Sequence, residues 1–66
     1  MGKQNMPLRI RIIETHGTQA DFAEAAGVDE SVVSRVVRGR RDLPPGERTR
    51  WAELLHGDPR ELFDFT

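Results

Sequence analysis

The sequence contains no cysteine and no tyrosine, has a single lysine, and holds no apolar run longer than a few residues. Without thiols the chain can form neither disulfides nor thiolate zinc sites. Without a long apolar run it has no candidate for a membrane-spanning helix, and its first residues lack the hydrophobic stretch of a signal peptide. We therefore expect a cytoplasmic protein that does not enter a membrane.

The chain has only 66 residues, which fits one domain and little else. A domain of this size buries a limited share of its surface, so a large catalytic cleft is not expected. Its stability has to come from packing, alone or together with dimerisation. We expect a single domain over residues 1–66, with residues 1–5 flexible.

The net charge is small, but the charges are unevenly distributed. A net charge of −1 and a pI near 6.1 argue against a generally basic nucleic-acid binder. Residues 35–50, however, carry six arginines against two acids, a local charge of +4. Arginine has a planar fork that suits phosphates and guanine edges. A solvated charged surface is the alternative interpretation, although such surfaces usually mix both signs.

Glycines at positions 17, 27, 39 and 57 each end a glycine-free stretch, as expected of helix C-terminal caps. The spacing of these glycines predicts five short helices and an all-α fold. The first helix spans about 6–15, with Leu8, Ile12 and Ile13 on its inner face. Its Leu-Arg-Ile-Arg-Ile alternation also fits a short strand, but Pro7 and Gly17 favour the helix.

The later helices are defined by their caps and their apolar spacing. Thr18 caps the second helix at the amide of Asp21, Asp29 caps the third, and Asp58-Pro59 opens the fifth. A linker at 40–45 precedes a fourth helix over about 45–56. The residues predicted to face inward are Phe22, Ala23, Ala26, Val33, Val36, Val37, Leu43, Trp51, Leu54, Leu55, Leu62 and Phe63.

The second and third helices have the spacing of a helix-turn-helix. Ala23 is small enough for the two helices to approach closely, and Gly27 can adopt the left-handed conformation that the turn needs. If the valines face the core, the opposite face of the third helix carries Ser31, Ser34, Arg35 and Arg38. Short side chains followed by long donors suit a helix that enters the major groove.

Over about residues 8–63 the chain resembles the lambda-repressor-like, or Cro/Xre-type, helix-turn-helix family of phage and bacterial regulators. The matching positions are Thr18-Gln19, Phe22-Ala23, Gly27-Val28, Ser31, Val33-Ser34, Gly39-Arg40-Arg41, Leu54-Leu55 and Leu62-Phe63. The resemblance implies a compact five-helix domain that binds double-stranded DNA, with Gln19 as a phosphate anchor. Where many members carry a buried Arg–Glu pair, this chain has Ile12 and Val37, which we expect to touch.

We assign the DNA-binding roles by residue type. Arg35 is the predicted base reader, through a bidentate contact to guanine, with a solvated surface arginine as the alternative. Arg38, Arg40 and Arg41 are predicted phosphate contacts, although a cation at Arg38 also suits the end of a helix. Arg48 and Arg50 can equally pair with neighbouring glutamates.

Two acids complicate this assignment. Asp29 and Glu30 lie at the start of the third helix, where capping and the helix dipole already account for them. Towards DNA they repel phosphate, although Glu30 could accept a hydrogen bond from cytosine N4.

No catalytic or metal site is indicated. His16 and His56 each precede a glycine and have no companion ligand at metal spacing. We expect no enzyme activity, cofactor, metal or small-molecule ligand. The prediction is a repressor-type regulator that occupies an operator.

The alternative is a helical protein-interaction module, antitoxin-like or an adaptor, on the same scaffold. It is favoured by the acidic C-terminal third and by the apolar Leu62, Phe63 and Phe65, which could instead form a homodimer interface. If Phe65 is buried within one chain, the apolar C-terminal residues no longer favour either an interaction module or a homodimer.

Overall fold

Five helices account for most of residues 4–63, the part of the chain that the computed structural model describes. They are α1 (Met6–His16), α2 (Gln19–Ala26), α3 (Glu30–Val37), α4 (Pro45–Leu54) and α5 (Pro59–Phe63). The predicted all-α fold is confirmed, and the segment that could also have been a strand lies within α1. None of the helices described is long and apolar enough to cross a membrane.

Helix starts follow the predicted caps in two cases out of three. The Thr18 hydroxyl accepts a hydrogen bond from the Asp21 amide at 3.0 Å, and the Asp58 carboxylate accepts one from the Arg60 amide at 2.9 Å. Asp29 occupies the cap position of α3, but its side chain makes no cap hydrogen bond. The prediction of a side-chain cap there is wrong, and only the favourable charge at the helix N-terminus is left.

The core is a single cluster to which all five helices and the linker contribute. Phe22 and Trp51 lie at its centre, with ring centroids 5.0 Å apart in an edge-to-face arrangement. The predicted inner faces of α2 and α3 are confirmed. The buried apolar residues are Leu8, Ile12, Phe22, Ala23, Ala26, Val33, Val36, Val37, Leu43, Trp51, Ala52, Leu55 and Leu62.

Three residues predicted to face inward are not buried, and one of them, Phe63, is half-buried against the core. Ile13 is 48% exposed, because Leu8 and Ile12, four residues apart, define the inner face of α1 and turn the next residue outward. Leu54 is half-buried against the core. Ile12 and Val37 both lie in the core cluster, as their replacement of an ion pair requires. Their direct contact stays a prediction.

Asn5 joins three helices and is the one buried polar residue among those described. Its side-chain oxygen caps α1 by accepting from the Leu8 amide at 3.1 Å, while its side-chain nitrogen donates to the Leu62 carbonyl at 2.6 Å. Its backbone amide donates to the Val37 carbonyl, also at 2.6 Å. These hydrogen bonds connect Asn5 to α1, α3 and α5. The flexibility expected over residues 1–5 stays a prediction, and residues 1–3 lie outside the described residues.

The end of α4 differs from the predicted glycine cap. α4 ends at Leu54, and His56, not Gly57, takes the left-handed conformation, with a φ of 54°. Arg11 holds this end by donating to the carbonyls of Leu55 and His56. At Gly57 a Cβ would lie 3.1 Å from a Leu62 methyl, so a larger residue there would require Leu62 to shift by a few tenths of an ångström.

The other histidine also has a structural position. His16 ends α1, and its ring lies 5.2 Å from the Phe22 ring, with Nε2 3.2 Å from the Leu54 carbonyl. It therefore joins α1 to the core and to the end of α4.

We expect Asn5→Ala to lower the free energy of unfolding by about 2–3 kcal/mol, because it removes a helix cap and leaves the buried Leu62 carbonyl without its donor. Asn5→Ser keeps a cap acceptor and should lose only about 1–2 kcal/mol. Urea denaturation of the two variants measures both. A loss below about 0.5 kcal/mol in Asn5→Ala would contradict this role.

Candidate nucleic-acid interface

α2 and α3 meet at a corner whose backbone is closed by hydrogen bonds. Gly27 has a φ of +73°, the left-handed region that glycine tolerates best. Its amide donates to the Glu24 carbonyl at 3.2 Å, and the Val28 amide donates to the Ala23 carbonyl at 3.0 Å. This double closure is the Schellman arrangement, which ends α2 and starts α3 in a new direction.

A side chain from α4 holds the same corner. Arg50 donates from Nη2 to the Ala26 carbonyl at 2.6 Å and forms an ion pair with Glu47 at 3.4 Å. Arg48 in turn donates to the Leu43 carbonyl at 2.9 Å. These two arginines have structural partners, which supports leaving them out of the predicted contact set.

The outer face of α3 presents the predicted stripe. Val33, Val36 and Val37 are buried, and their burial turns the opposite side of α3 outward. On that side Ser31, Arg35 and Arg38 are exposed, and Ser34 is half-buried.

The chain after α3 continues the basic surface. Gly39, with a φ of +75°, closes the helix. The Gly39 amide donates to the Val36 carbonyl at 3.1 Å, and the Arg40 amide donates to the Arg35 carbonyl at 2.8 Å. Arg40 and Arg41 follow this closure and are exposed.

We call Arg35, Arg38, Arg40 and Arg41 the basic face. Within residues 4–63 the pair between Arg50 and Glu47 is the one salt bridge, so none of the four arginines of the basic face forms an ion pair in that range. Glu30, the first residue of α3, and Asp29 are exposed at the opposite end of the helix. α3 is thus acidic where it begins and cationic where it ends.

Gln19 lies beside the basic face. It is the first residue of α2 and is half-buried. It lines a surface depression together with Gln4, Arg9, Ser34, Val37 and Arg38. Sequence reasoning missed Arg9 and Gln4, because only the packing of α1 against α2 and α3 brings them to this place. The one signal available was the position of Arg9 next to buried Leu8, on the flank of α1.

The predicted dimer surface is only partly present. Leu62 is 4% exposed and packs inside the chain, so it cannot serve an interface as proposed. Phe63 packs partly buried against the core, and Phe65 lies outside the described residues. Among the residues described there is no group of three or more histidine, aspartate or glutamate side chains that could hold a metal ion.

These features define a helix-turn-helix domain with a basic recognition face. Residues 8–62 match the sequence profile of a helix-turn-helix family, and the chain belongs to that family, the Cro/C1-type, lambda-repressor-like DNA-binding regulators. No curated protein sequence matches the chain significantly.

Solved structures agree with this assignment. The restriction-modification controller protein C.AhdI from Aeromonas hydrophila is 32% identical, with a TM-score of 0.76 over 89% of this chain and 86% of that one. The modulator of repression (MOR) of the temperate bacteriophage TP901-1 from Lactococcus lactis is 27% identical, with a TM-score of 0.77 over 96% and 89%. The hypothetical transcription factor NHTF from Neisseria, 20% identical, shares the fold, with a TM-score of 0.72 over 94% and 79%.

The corner can be tested by a matched pair of glycine substitutions. Gly27→Ala should cost about 1–2 kcal/mol, because an alanine is strained at this positive φ, while its Cβ would meet nothing closer than Arg50 at 3.8 Å. Gly46, in the first turn of α4, has open space around its Cβ. Gly46→Ala should therefore stabilise the protein by about 0.4–1 kcal/mol. Thermal melts of the two variants that shift in the same direction would contradict this reading of the corner.

Proposed function

We propose that this regulator binds a specific operator sequence by inserting α3 into the major groove of double-stranded DNA. The observation that carries the proposal is the arrangement of α3, with three buried valines on one side and, on the other, exposed arginines that form no salt bridge within residues 4–63. A recognition helix needs this division, because one face must stay packed while the other reaches base edges.

Within this proposal Arg35 reads a base. It lies in the exposed stripe next to Ser31 and Ser34, whose short side chains allow the helix backbone to approach the groove floor. A bidentate contact from its guanidinium to guanine O6 and N7 would discriminate by about 1–3 kcal/mol. Glu30 lies five residues earlier, at the start of α3, and would accept from cytosine N4 where the groove brings that base within reach.

The phosphate contacts are assigned to Arg38, Arg40, Arg41 and Gln19. The three arginines lie at and beyond the end of α3, where they flank the groove that the helix would enter. Gln19 sits at the start of α2, where helix amides and a side chain can meet the DNA backbone together. These contacts set register and salt dependence but not sequence.

Binding of the domain to its operator would itself produce the regulatory effect. We expect no enzymatic activity, so the domain would act as a repressor-type regulator by covering the operator, in the cytoplasm of a bacterium or an infected host. If it dimerises, Phe63 and Phe65 are the C-terminal residues left for that interface, and the operator would be near-palindromic.

A protein-interaction module is the second candidate, and one observation favours it. Met6, Ile10 and Ile13 are 43%, 51% and 48% exposed, and their spacing puts them on one face of α1. Exposed apolar surface of this kind is typical of contact sites for other proteins.

Selection of bound sequences from random duplex DNA distinguishes the two candidates. Run at two salt concentrations, it should enrich a short motif, and binding should weaken steeply as salt rises. A pool in which no sequence is enriched at either salt concentration would reject the DNA-binding proposal and favour the interaction module.

The division of roles predicts different effects of two arginine substitutions. Arg35→Ala should lose about 1–3 kcal/mol of discrimination between the selected sequence and a single-base variant. Arg40→Ala should weaken binding to both duplexes alike and lower the salt slope by about 1. Fluorescence anisotropy over a salt series measures both quantities. Equal losses on every duplex from both substitutions would contradict the assignment.

A further inference from the structure

The depression beside α3 is formed by three helices and not by the helix-turn-helix alone. Its volume is about 190 Å³, and it is lined by Gln4, Arg9, Gln19, Ser34, Val37 and Arg38. Arg9 belongs to α1, which lies outside the helix-turn-helix pair. The depression therefore brings a third element to the same surface.

The chemistry of this lining suits a phosphate. The residues that line the depression carry two guanidinium groups, two carboxamides and one hydroxyl, and none of them carries a carboxylate. Within the described part of the chain, neither Arg9 nor Arg38 forms a salt bridge. A guanidinium binds a phosphate through two parallel hydrogen bonds, so paired arginines without acids are well suited to this ligand.

The backbones that carry the two arginines are tied together. Leu8 and Ile12 are fully buried, which fixes the rotation of α1 and keeps Arg9 on its outer flank. The hydrogen bond from the Asn5 amide to the Val37 carbonyl joins the residue before α1 to the residue before Arg38. The packed helices therefore fix the backbone positions from which Arg9 and Arg38 reach the depression.

The depression is also continuous with the recognition surface. Ser34 lines it and belongs to the exposed stripe of α3 that contains Arg35. A phosphate held here would lie at the edge of the groove that α3 enters, which favours the DNA backbone over a free anion as its source.

We propose that Arg9, with Gln19 and Arg38, binds one backbone phosphate of the operator, so that the first helix takes part in DNA binding. This inference rests on the proposed function and adds to it a contact from outside the helix-turn-helix. The contact sets affinity and orientation and leaves sequence preference unchanged.

The first experiment compares Arg9→Gln with Arg60→Gln, a substitution that removes the same charge from an exposed position on α5. Affinity for the selected duplex is measured over a salt series. Arg9→Gln should lower the slope of log K against log salt by about 1. Between 50 and 200 mM salt the wild type should then lose about 3.5-fold more affinity than Arg9→Gln. Arg60→Gln should keep the wild-type slope, and both variants should melt as the wild type does.

The second experiment tests whether Arg9 and Arg38 share one phosphate. The combined loss in Arg9→Gln/Arg38→Gln should depart by more than about twofold from the product of the single losses, as expected for residues with a common partner. Arg9→Gln combined with Arg40→Ala, which lies outside the depression, should match the product within about twofold. Losses that simply multiply in the first double variant would overturn the shared site.

The outcomes separate this inference from the function on which it rests. If the wild type binds a selected duplex with a steep salt slope and Arg9→Gln keeps that slope, the inference fails and the proposed function stands. If the wild type selects no duplex, the proposed function fails. NMR of the Arg9 side-chain Nε–H then distinguishes the ligand source, because a shift caused by inorganic phosphate but not by duplex DNA would identify a free-anion site and reject the DNA contact.

Discussion

The rotation of α3 about its own axis is the constraint on which the candidate site depends. α3 has eight residues, and a helix this short is marginal in isolation, more so with four β-branched valines. It holds its shape because Val33, Val36 and Val37 are buried against the other helices. Because the valines occupy the inner face, the arginines of α3 cannot face inward. The same packing therefore stabilises the helix and directs its cationic face to solvent.

Seven of the nine arginines of this chain fall into two groups with different structural settings. Arg11, Arg48 and Arg50 donate to backbone carbonyls at the ends of helices and loops, so they hold the fold. The basic face forms no salt bridge with any described residue. The net charge of −1 therefore says little about binding here, because it does not show how the acids are distributed relative to the surface that would meet DNA.

Local signals were enough to predict the helix-turn-helix and most of the core. Glycine at the corner, capping residues and valine spacing each act within a few residues of the chain, and the structure follows them. The residues whose structural roles were not predicted interact with partners far apart in sequence. Asn5 donates a hydrogen bond to Leu62, 57 residues away, and no short sequence pattern indicates such a pair. The carbonyl of the left-handed His56 accepts a hydrogen bond from Arg11 in another helix, and Arg9 joins the site only through tertiary packing. Ile13 is different, because strict helical geometry already placed it one step away from the inner face.

The central claim is that Arg35 reaches a guanine in the major groove, and chemical probing tests it most directly. Dimethyl sulfate methylates guanine N7, the atom to which the Arg35 guanidinium would donate. On the selected duplex, at saturating protein, the account predicts at least one guanine N7 protected by the wild type and reactive again with Arg35→Ala. A saturated complex in which every guanine N7 stays reactive, or in which protection survives Arg35→Ala, would contradict it.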